Sequence, residues 1–351
     1  MPSFDRQLQI GYFAYCLRQL PAAYGKLDTN RLTLAHFAVH ALALLGVWDS
    51  ADLQAAMGLD KQGMVEWIYG LQVTLSESGQ NPAHVGFKGG TFLGPDATTS
   101  QHYNQGHIAM TYTALCTLRA LGDDLSRVDK QGILRALPHL QLADGSFQCV
   151  PVGSEHDMRF LYCACCISYM LNDWSGVDQE RAVAYIKACR SFEGAIALLP
   201  GNEGHGGSTF CAIASLVLMQ RLDDVLDDEW RKELTHWCVQ RQIGGLQGRP
   251  NKLEDTCYSY WIGGTLHLLG AFDLVDHERL RSFVLQCQTK MGGFSKVIGA
   301  FPDVLHSYYS LAYLSLSQKF VQGNPEDSLQ ELDCTLGIGK ETALFFPLIS
   351  P

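Results

Sequence analysis

A glycine turn recurs at intervals of about fifty residues along this chain of 351 residues. The turns DGSF, FEGA, GGL and GGF contain Gly145, Gly194, Gly245 and Gly293, which are 49, 51 and 48 residues apart. Each turn follows a polar segment and precedes a loop and a strongly apolar segment. The stretch GFKGG near Gly86 looks like a variant of the unit with a longer loop. A fixed period of this length is typical of repeat architectures.

The two segments of each unit read as a pair of helices. The apolar members, such as FLYCACCISYML and STFCAIASLVLM, are hydrophobic nearly all round, as buried helices are. The intervening members carry the charge, and no sustained alternation indicates strands. Such pairs can stack as an open solenoid or close as a double-walled barrel. About six pairs suit closure, so the sequence predicts an all-α fold, an α/α barrel (toroid) over residues 1–319. The tail, residues 320–351, lacks the repeat and is expected on or outside the barrel.

Composition excludes several classes of function. The formal net charge of -10 argues against nucleic acid as a partner, although a local basic pocket remains compatible with it. No signal segment and no uncharged apolar run of 18 residues is visible, so we expect a cytoplasmic protein without a membrane span. In that compartment the twelve cysteines are expected to be reduced thiols.

The stretch GGLQGRPNKLEDTCYSYW, Gly244–Trp261, holds two residues of metal-ligand type, Asp255 and Cys257. Taken singly, Asp255 also fits a helix N-cap and Cys257 a buried core position. His306 follows Cys257 by 49 residues, which is one repeat, and equivalent positions of successive repeats are neighbours in space. The trio predicts a zinc site with an open fourth position, as catalytic zinc sites have. A histidine at a helix start is the alternative for His306.

The same repeat logic places a group of cations beside this trio. His205, in EGHGGSTF, lies one repeat before the Asp255 region, and Arg249 and Lys252 precede Asp255. Gly206 and Gly207 would allow close backbone approach, and helix N-termini favour anions. The group therefore predicts a diphosphate-binding site. Solvated surface charges are the alternative.

Zinc beside a diphosphate site suggests a specific reaction. A zinc ion lowers the pKa of a bound thiol, so a substrate cysteine can act as the nucleophile. The leaving diphosphate would be stabilised by the cations and by Tyr258. The apolar inner wall would hold a long hydrocarbon through aromatic residues that include Tyr258, Trp261, Tyr308 and Tyr309. These features describe the alkylation of a thiol by an isoprenyl diphosphate.

Long strings of the sequence carry a family resemblance. The strings EGHGGSTFCAIASL, GRPNKLEDTCYSYW and PDVLHSYYSLAYLSL resemble the β subunits of protein prenyltransferases, those of type I protein geranylgeranyltransferases most. The resemblance runs from about Arg31 to Ser317. It implies an α/α barrel that forms a heterodimer with a helical α subunit. It also implies transfer of a geranylgeranyl group from geranylgeranyl diphosphate, via a zinc-bound thiolate, to the cysteine of a C-terminal CaaX motif. Acceptors would be small GTPases and similar proteins in which X is often Leu or Phe.

The resemblance also assigns roles to individual residues. It puts the zinc ligands on Asp255, Cys257 and His306, and it places Arg159 in the wall of the substrate cavity. The lipid-diphosphate site falls on the following residues, with Tyr258 close by: His205, Gly206, Gly207, Arg249, Pro250, Asn251 and Lys252.

Three positions bear on the lipid and on magnesium. Farnesyl-type subunits carry tryptophan where this chain has Thr33, which implies room for the longer, twenty-carbon donor. The sequence departs from the geranylgeranyl type at Tyr309, where that type usually has phenylalanine. Farnesyl-type subunits have a magnesium-binding aspartate where this chain has Lys296, so a reaction without magnesium is expected.

Several alternatives remain at this stage. A farnesyl-type or a Rab-type β subunit would share most of these features. A terpene cyclase also uses an α/α barrel, but the acidic motif that it would need is not found in an inner helix. A non-catalytic helical-repeat scaffold would share the repeat without the zinc site.

Overall fold

The computed structural model describes residues 3–74, 81–91, 104–321 and 327–346. Within them, six helices form the inner wall of a closed barrel, because each packs against the next and the last packs against the first. The prediction of an all-α toroid is confirmed. The inner helices are α2 (Arg31–Leu44), α5 (Ile108–Ala120), α7 (Met158–Met170), α9 (Gly206–Leu218), α12 (Thr256–Leu268) and α14 (Val304–Leu316).

The inner helices are buried because they are covered on both sides. Of the thirteen residues of α7, eleven are buried, including Cys163, Cys165 and Cys166. Small polar side chains in this wall bond to the backbone of their own helix, as Ser215 Oγ does to the carbonyl of Cys211 at 2.7 Å. All twelve cysteines of the chain are buried free thiols.

A second layer of helices is polar on its outer face. Each of these helices buries an apolar stripe against the inner wall, as the helical spacing of their apolar residues dictates. Segments of 3-10 helix, of which Ala22–Asn30 is nine residues long, and two short helices connect the layers, and a third short helix lies in the C-terminal segment. The outer helices are α1 (Arg6–Arg18), α4 (Lys61–Tyr69), α6 (Lys130–Leu140), α8 (Gln179–Ala188), α11 (Asp228–Val239) and α13 (His277–Gln286), and the shorter ones are α3 (Ala51–Ala56), α10 (Leu222–Val225) and α15 (Lys340–Ala343).

Glycine recurs because each turn lies directly against the next outer helix. A Cβ on Gly145, whose φ is +92°, would lie 2.0 Å from the carbonyl oxygen of Arg181 in α8. A Cβ on Gly292 would lie 2.6 Å from the carbonyl oxygen of Leu8 in α1. The last glycine turn thus packs on the first helix, and the outer wall closes in the same way as the inner one.

Three short antiparallel hairpins lead from outer to inner helices, and a fourth lies in the C-terminal segment. Their strands are only two residues long, so the sequence has no room for the alternation that would have revealed them. The pairs are β1 (Gln72–Val73) with β2 (Gly86–Phe87), β3 (Phe147–Gln148) with β4 (His156–Asp157), β5 (Phe294–Ser295) with β6 (Pro302–Asp303), and β7 (Leu332–Asp333) with β8 (Ile338–Gly339).

Five inner helices start with the same device. A side chain at the N-cap accepts a hydrogen bond from a backbone N–H of the first turn, which satisfies a donor that the helix cannot. These caps are spaced 50, 48, 50 and 48 residues apart and form a ring at one end of the barrel. They are His107, Asp157, His205, Asp255 and Asp303.

Of the residues after Lys319, those from 327 to 346 lie at the opposite end of the barrel. The N–H of Gln330 donates to the carbonyl of Leu44, the last residue of α2, at 2.8 Å. Leu336 and Ile338, in and after the β7–β8 turn, are buried. The described part of the tail therefore packs into the end of the barrel. The domain boundary at residues 319/320 stays a prediction.

Within the parts of the chain that the structure describes, no helix is long and apolar enough to cross a membrane.

Candidate active site

Three side chains of metal-ligand type meet at the ring of helix starts. Asp255 caps α12, Cys257 lies in the first turn of α12, and His306 lies in the first turn of α14. One ligand atom from each lies within 4.8 Å of the others, and Asp255 and Cys257 are buried. His306 Nε2 is 3.2 Å from Asp255 Oδ1. The structure thus brings together the trio that the one-repeat offset pointed to.

Asp255 has the geometry of a helix N-cap and also the position of a metal ligand. Its Oδ1 accepts a hydrogen bond from the N–H of Cys257 at 3.0 Å, as an N-cap does. The same carboxylate faces His306 and, through Oδ2, lies 3.4 Å from Lys296 Nζ. The cap fixes the carboxylate at the point where the thiol and imidazole converge.

The electrostatics of the trio suit a cation. Burial and the Asp255 carboxylate raise the pKa of Cys257 well above its usual value, so the thiol is protonated when no cation is bound. Burial lowers the pKa of His306, but hydrogen bonds that the imidazole donates to Asp255 and Asp303 outweigh this effect and raise the pKa to about 9. Burial would raise the pKa of Asp255, yet its bond to His306 lowers the value overall. A bound divalent cation would replace these protons, because coordination deprotonates a thiol.

Asp303 is a functional candidate that the sequence analysis missed. Its Oδ2 lies 2.6 Å from His306 Nδ1, while its Oδ1 accepts the N–H of His306 at 2.9 Å. With Nδ1 engaged, Nε2 is the nitrogen turned towards Asp255 and Cys257. A carboxylate behind a histidine is the usual support of a metal ligand. Its spacing of 48 residues from Asp255 was the available signal.

A cavity of about 440 Å³ adjoins the trio and collects cations. His205 Nε2 and the Tyr258 hydroxyl are 3.0 Å apart on its wall. Arg249 is paired there with Glu203 at 3.0 Å. The side chain of Lys296 is 60% exposed. The lining residues that can contact an anion are His205, Arg249, Lys252, Tyr258 and Lys296. Three basic side chains, a histidine and a hydroxyl make this cavity a candidate anion site. Glu254 and Asp255 also line it, and burial lowers the pKa of His205, so the positive charge comes from Arg249, Lys252 and Lys296.

The two glycines that follow His205 in EGHGG were expected to let the backbone approach an anion, and Gly207 lines the aromatic cavity beside His205. The N–H of Gly206 donates to the carbonyl of Gly248 at 2.8 Å, and the N–H of Gly207 donates to His205 Nδ1 at 3.1 Å. Neither amide is therefore free to bind an anion in this arrangement. A Cβ on Gly206 would lie 2.8 Å from Ile262, so its role is close packing of α9 on α12.

Pro250 and Asn251 form a turn between the cations. Asn251 has a φ of +60°, a conformation that asparagine tolerates better than most residues. Neither residue is among those that line the 440 Å³ cavity. Their place in the structure is to set the loop that carries Arg249 and Lys252.

A second cavity, of about 340 Å³, extends from the helix starts into the barrel. It shares His205 with the anion site, so the two cavities meet at that residue. Its wall is mostly aromatic; the rings of Trp261 and Tyr309 lie 4.3 Å apart. Thr33 is on the same wall, where its hydroxyl contacts Met110 Sδ at 3.3 Å. Such a wall suits a hydrocarbon.

Arg159 lies at the edge of the apolar cavity. Its guanidinium binds Asp157 at 2.6 Å and Glu155 at 2.9 Å. The bond to Asp157 raises the pKa of Arg159, so the group stays charged. Because the side chain is half exposed, the guanidinium is accessible at the mouth of this cavity.

Comparisons with known proteins agree with this architecture. The family model of the prenyltransferase alpha-alpha toroid domain matches residues 4–338. The chain is 40% identical to the geranylgeranyl transferase type-1 subunit beta of Arabidopsis thaliana, over 90% of this chain and 86% of that one. It is 38% identical to the subunit of the same name from Dictyostelium discoideum, over 95% and 94%. It is 30% identical to the protein farnesyltransferase subunit beta of Pyricularia oryzae, over 91% and 64%.

A solved structure of a protein geranylgeranyltransferase has the same fold as this chain. The Candida albicans protein geranylgeranyltransferase-I complexed with GGPP superposes with a TM-score of 0.83 at 25% identity, covering 98% of each chain. The resemblance noted in the sequence is confirmed. This chain belongs to the family of prenyltransferases with an alpha-alpha toroid domain, among the protein prenyltransferase β subunits.

Proposed function

We propose that this chain is the catalytic β subunit of a type I protein geranylgeranyltransferase. It transfers a geranylgeranyl group from geranylgeranyl diphosphate to the cysteine of a C-terminal CaaX motif in which X is leucine or phenylalanine. The observation that carries the proposal is the adjacency of three sites: a metal-ligand trio, an anion cavity and an aromatic cavity, joined at Asp255 and His205. The similarity to type-1 subunits over nearly the whole chain supports it.

Zinc is the metal that the donor set fits. One carboxylate, one thiol and one imidazole are ligands that catalytic zinc sites use, with a fourth position left for substrate. When bound, zinc lowers the pKa of the acceptor thiol so that it reacts as a thiolate. Asp255, Cys257 and His306 would hold the ion, and Asp303 would keep Nε2 of His306 turned towards it.

The anion cavity would stabilise the leaving diphosphate. Charge grows on the leaving group as the bond from carbon to oxygen breaks, and fixed cations and hydroxyl donors are most effective there. His205 and Tyr258 are held 3.0 Å apart, so both are already oriented. Lys296, Arg249 and Lys252 supply charge in place of a magnesium ion.

The aromatic cavity would hold the hydrocarbon and leave its first carbon near the trio. Trp261 and Tyr309 form part of its wall, and Thr33 leaves space that a larger side chain would fill. Arg159, at the edge of this cavity, would contact the acceptor peptide as it crosses the lipid. Bringing thiol and diphosphate together in this way converts a bimolecular reaction into an effectively unimolecular one.

A partner α subunit forms part of this proposal. Large apolar side chains stand exposed on the loops that lead to the helix starts: Val152, Leu253 and Phe301 are each more than 80% exposed. Exposed apolar groups around a mouth of this kind are typical of a surface that another chain covers. The chain would act in the cytoplasm on small GTPases and similar proteins.

Farnesyl transfer is the second candidate. Tyr309 brings a hydroxyl and extra bulk into the aromatic cavity, next to Trp261. Less space would favour the fifteen-carbon donor. Thr33 has the opposite effect, and we give it more weight because a threonine in place of tryptophan removes far more volume than one hydroxyl adds.

The donor preference of the wild type and of Thr33→Trp tests this choice. In a complex co-expressed with an α subunit, kcat/KM should be higher for the twenty-carbon than for the fifteen-carbon diphosphate. In Thr33→Trp this ratio should fall by about tenfold or more, because the ring fills part of the cavity. Thr33→Val, which keeps the shape, is the control. A wild type that prefers the fifteen-carbon donor would replace the proposal by farnesyl transfer.

A further inference from the structure

Four tyrosine hydroxyls of the inner wall bond to four consecutive backbone carbonyls of the C-terminal segment. The tyrosines come from four different inner helices, and the carbonyls belong to the turn between β7 and β8. The bonds are Tyr260 to Cys334 at 3.0 Å, Tyr162 to Thr335 at 2.8 Å, Tyr112 to Leu336 at 2.7 Å and Tyr308 to Gly337. The backbone of the turn is thus bonded to the inner wall, and the buried side chains of Cys334 and Leu336 pack beside it.

The repeat explains why these four hydroxyls lie at the same height in the barrel. Each tyrosine stands five residues after the N-cap of its helix, so all four lie at the same height in the barrel. Phe210 occupies the same position of α9 and is the one member of this set without a hydroxyl. The ring of aromatic residues therefore forms a platform, and the turn lies against it.

The platform is also a wall of the aromatic cavity. All four tyrosines line that cavity, and so does Gly337 from the turn. From His205 and Arg159 at the helix starts, the cavity thus runs down to the C-terminal segment. Gly337 is the residue of the described tail that contacts this space.

Both the backbone conformation at residue 337 and the limited space around it favour glycine. Its φ of +65° lies in the left-handed region that side chains disfavour. A Cβ there would lie 2.7 Å from the Tyr260 hydroxyl, which is itself part of the cavity wall. Any side chain at this position would therefore reduce the space at the floor.

We infer that the turn Cys334–Gly337 is the floor of the hydrocarbon cavity, and that Gly337 helps to determine the longest isoprenoid that the chain accepts. The inference rests on the proposed function, because it concerns the lipid of that reaction. Isoprenoid length would then depend on two residues, Thr33 in α2 and Gly337 in the C-terminal segment. The turn acts through the space that it leaves, and it touches no reacting atom.

Gly337→Ala tests this inference in the co-expressed complex. The measurement is kcat/KM for the fifteen- and twenty-carbon diphosphates with a peptide that ends in leucine. The added Cβ should lower the ratio of twenty- to fifteen-carbon use by about tenfold, the effect expected of one methyl group in a filled pocket. The loss should appear mainly in the KM of the longer donor, because the reacting end of the lipid is unchanged.

Two further variants distinguish the loss of cavity space from the backbone strain of a side chain at a positive φ. Gly270→Ala is the matched control, since Gly270 has a φ of +72° and no atom within 4 Å of its Cβ position. It should leave the ratio unchanged. If Gly337→Ala gives no soluble complex, Gly337→Ala with Tyr260→Phe places the same Cβ without the hydroxyl contact, and the same shift is expected.

An equal loss for both donors, or an unchanged ratio in the single and the double variant, would overturn the inference while leaving the proposed function intact. A wild type that transfers neither lipid would instead defeat the proposed function.

Discussion

Asp303 supports His306 without touching the trio's other members, and its effect can be measured separately from its role as a cap. Asp303→Asn keeps an N-cap, since asparagine caps as well as aspartate, but it removes the charge behind His306 Nδ1. Zinc affinity should fall by about ten- to a hundredfold, as for other carboxylates behind metal-bound histidines. Competition with a chelator of known affinity measures it.

Asp276→Asn is the control for that variant, because Asp276 caps the outer helix α13 and lies on another element. It should leave zinc affinity unchanged. Equal affinity in Asp303→Asn and the wild type would show that the hydrogen bond to His306 carries no metal-binding role.

At the residue scale, prediction succeeded where the repeat supplied a geometric relation. Cys257 and His306 could be joined because equivalent positions of neighbouring repeats adjoin. Asp303 was missed because an aspartate before a helix reads as an ordinary cap. The close approach of Gly206 and Gly207 to the anion stays a prediction, and the sequence does not show that the N–H of Gly206 donates to the carbonyl of Gly248.

The β5–β6 hairpin positions the charged side chain of Lys296 at the anion cavity. Ser295 is buried and bonded within the hairpin, and its neighbour Lys296 extends from it into the anion cavity. Lys296→Asp should lower turnover by about a hundredfold, the usual cost of losing a donor to a developing charge. It should also make the rate respond to magnesium, whereas the wild type should be nearly unaffected when magnesium is removed.

The rates are measured in magnesium-free buffer with zinc held constant, and the zinc content of the variant is determined in parallel. Lys290→Asp, an exposed lysine before the same hairpin, is the control for charge reversal and should behave as the wild type does. A wild-type rate that collapses without magnesium would contradict this role of Lys296.

Elements of different length were predictable to different degrees. The inner helices are long and apolar all round, so their pattern identifies them. The hairpins consist of two-residue strands and depend on the glycine turns and on hydroxyl bonds such as Thr256 Oγ1 to the carbonyl of Ser295. The C-terminal turn bonds to the tyrosines through its backbone carbonyls. Every residue has such a carbonyl, so the sequence could not identify this turn.

For the whole molecule, the period of the sequence and the count of about six helix pairs together predicted the closed barrel. The repeat predicts that each unit packs against the next, and the number of pairs favours closure over an open solenoid. It could not show where the tail goes, because residues outside the repeat have no equivalent position. The ends of the barrel therefore differ: one carries the caps and the cations, and the C-terminal segment fills the other.

The central claim is that a metal held by Asp255, Cys257 and His306 is needed for isoprenoid transfer. The most direct test measures zinc content and geranylgeranyl transfer together, in the complex with an α subunit, for the wild type and for Cys257→Ala. We predict one zinc per complex and transfer for the wild type, loss of both in Cys257→Ala, and an unchanged helical circular dichroism spectrum. A Cys257→Ala complex that keeps its zinc and its turnover would contradict the account.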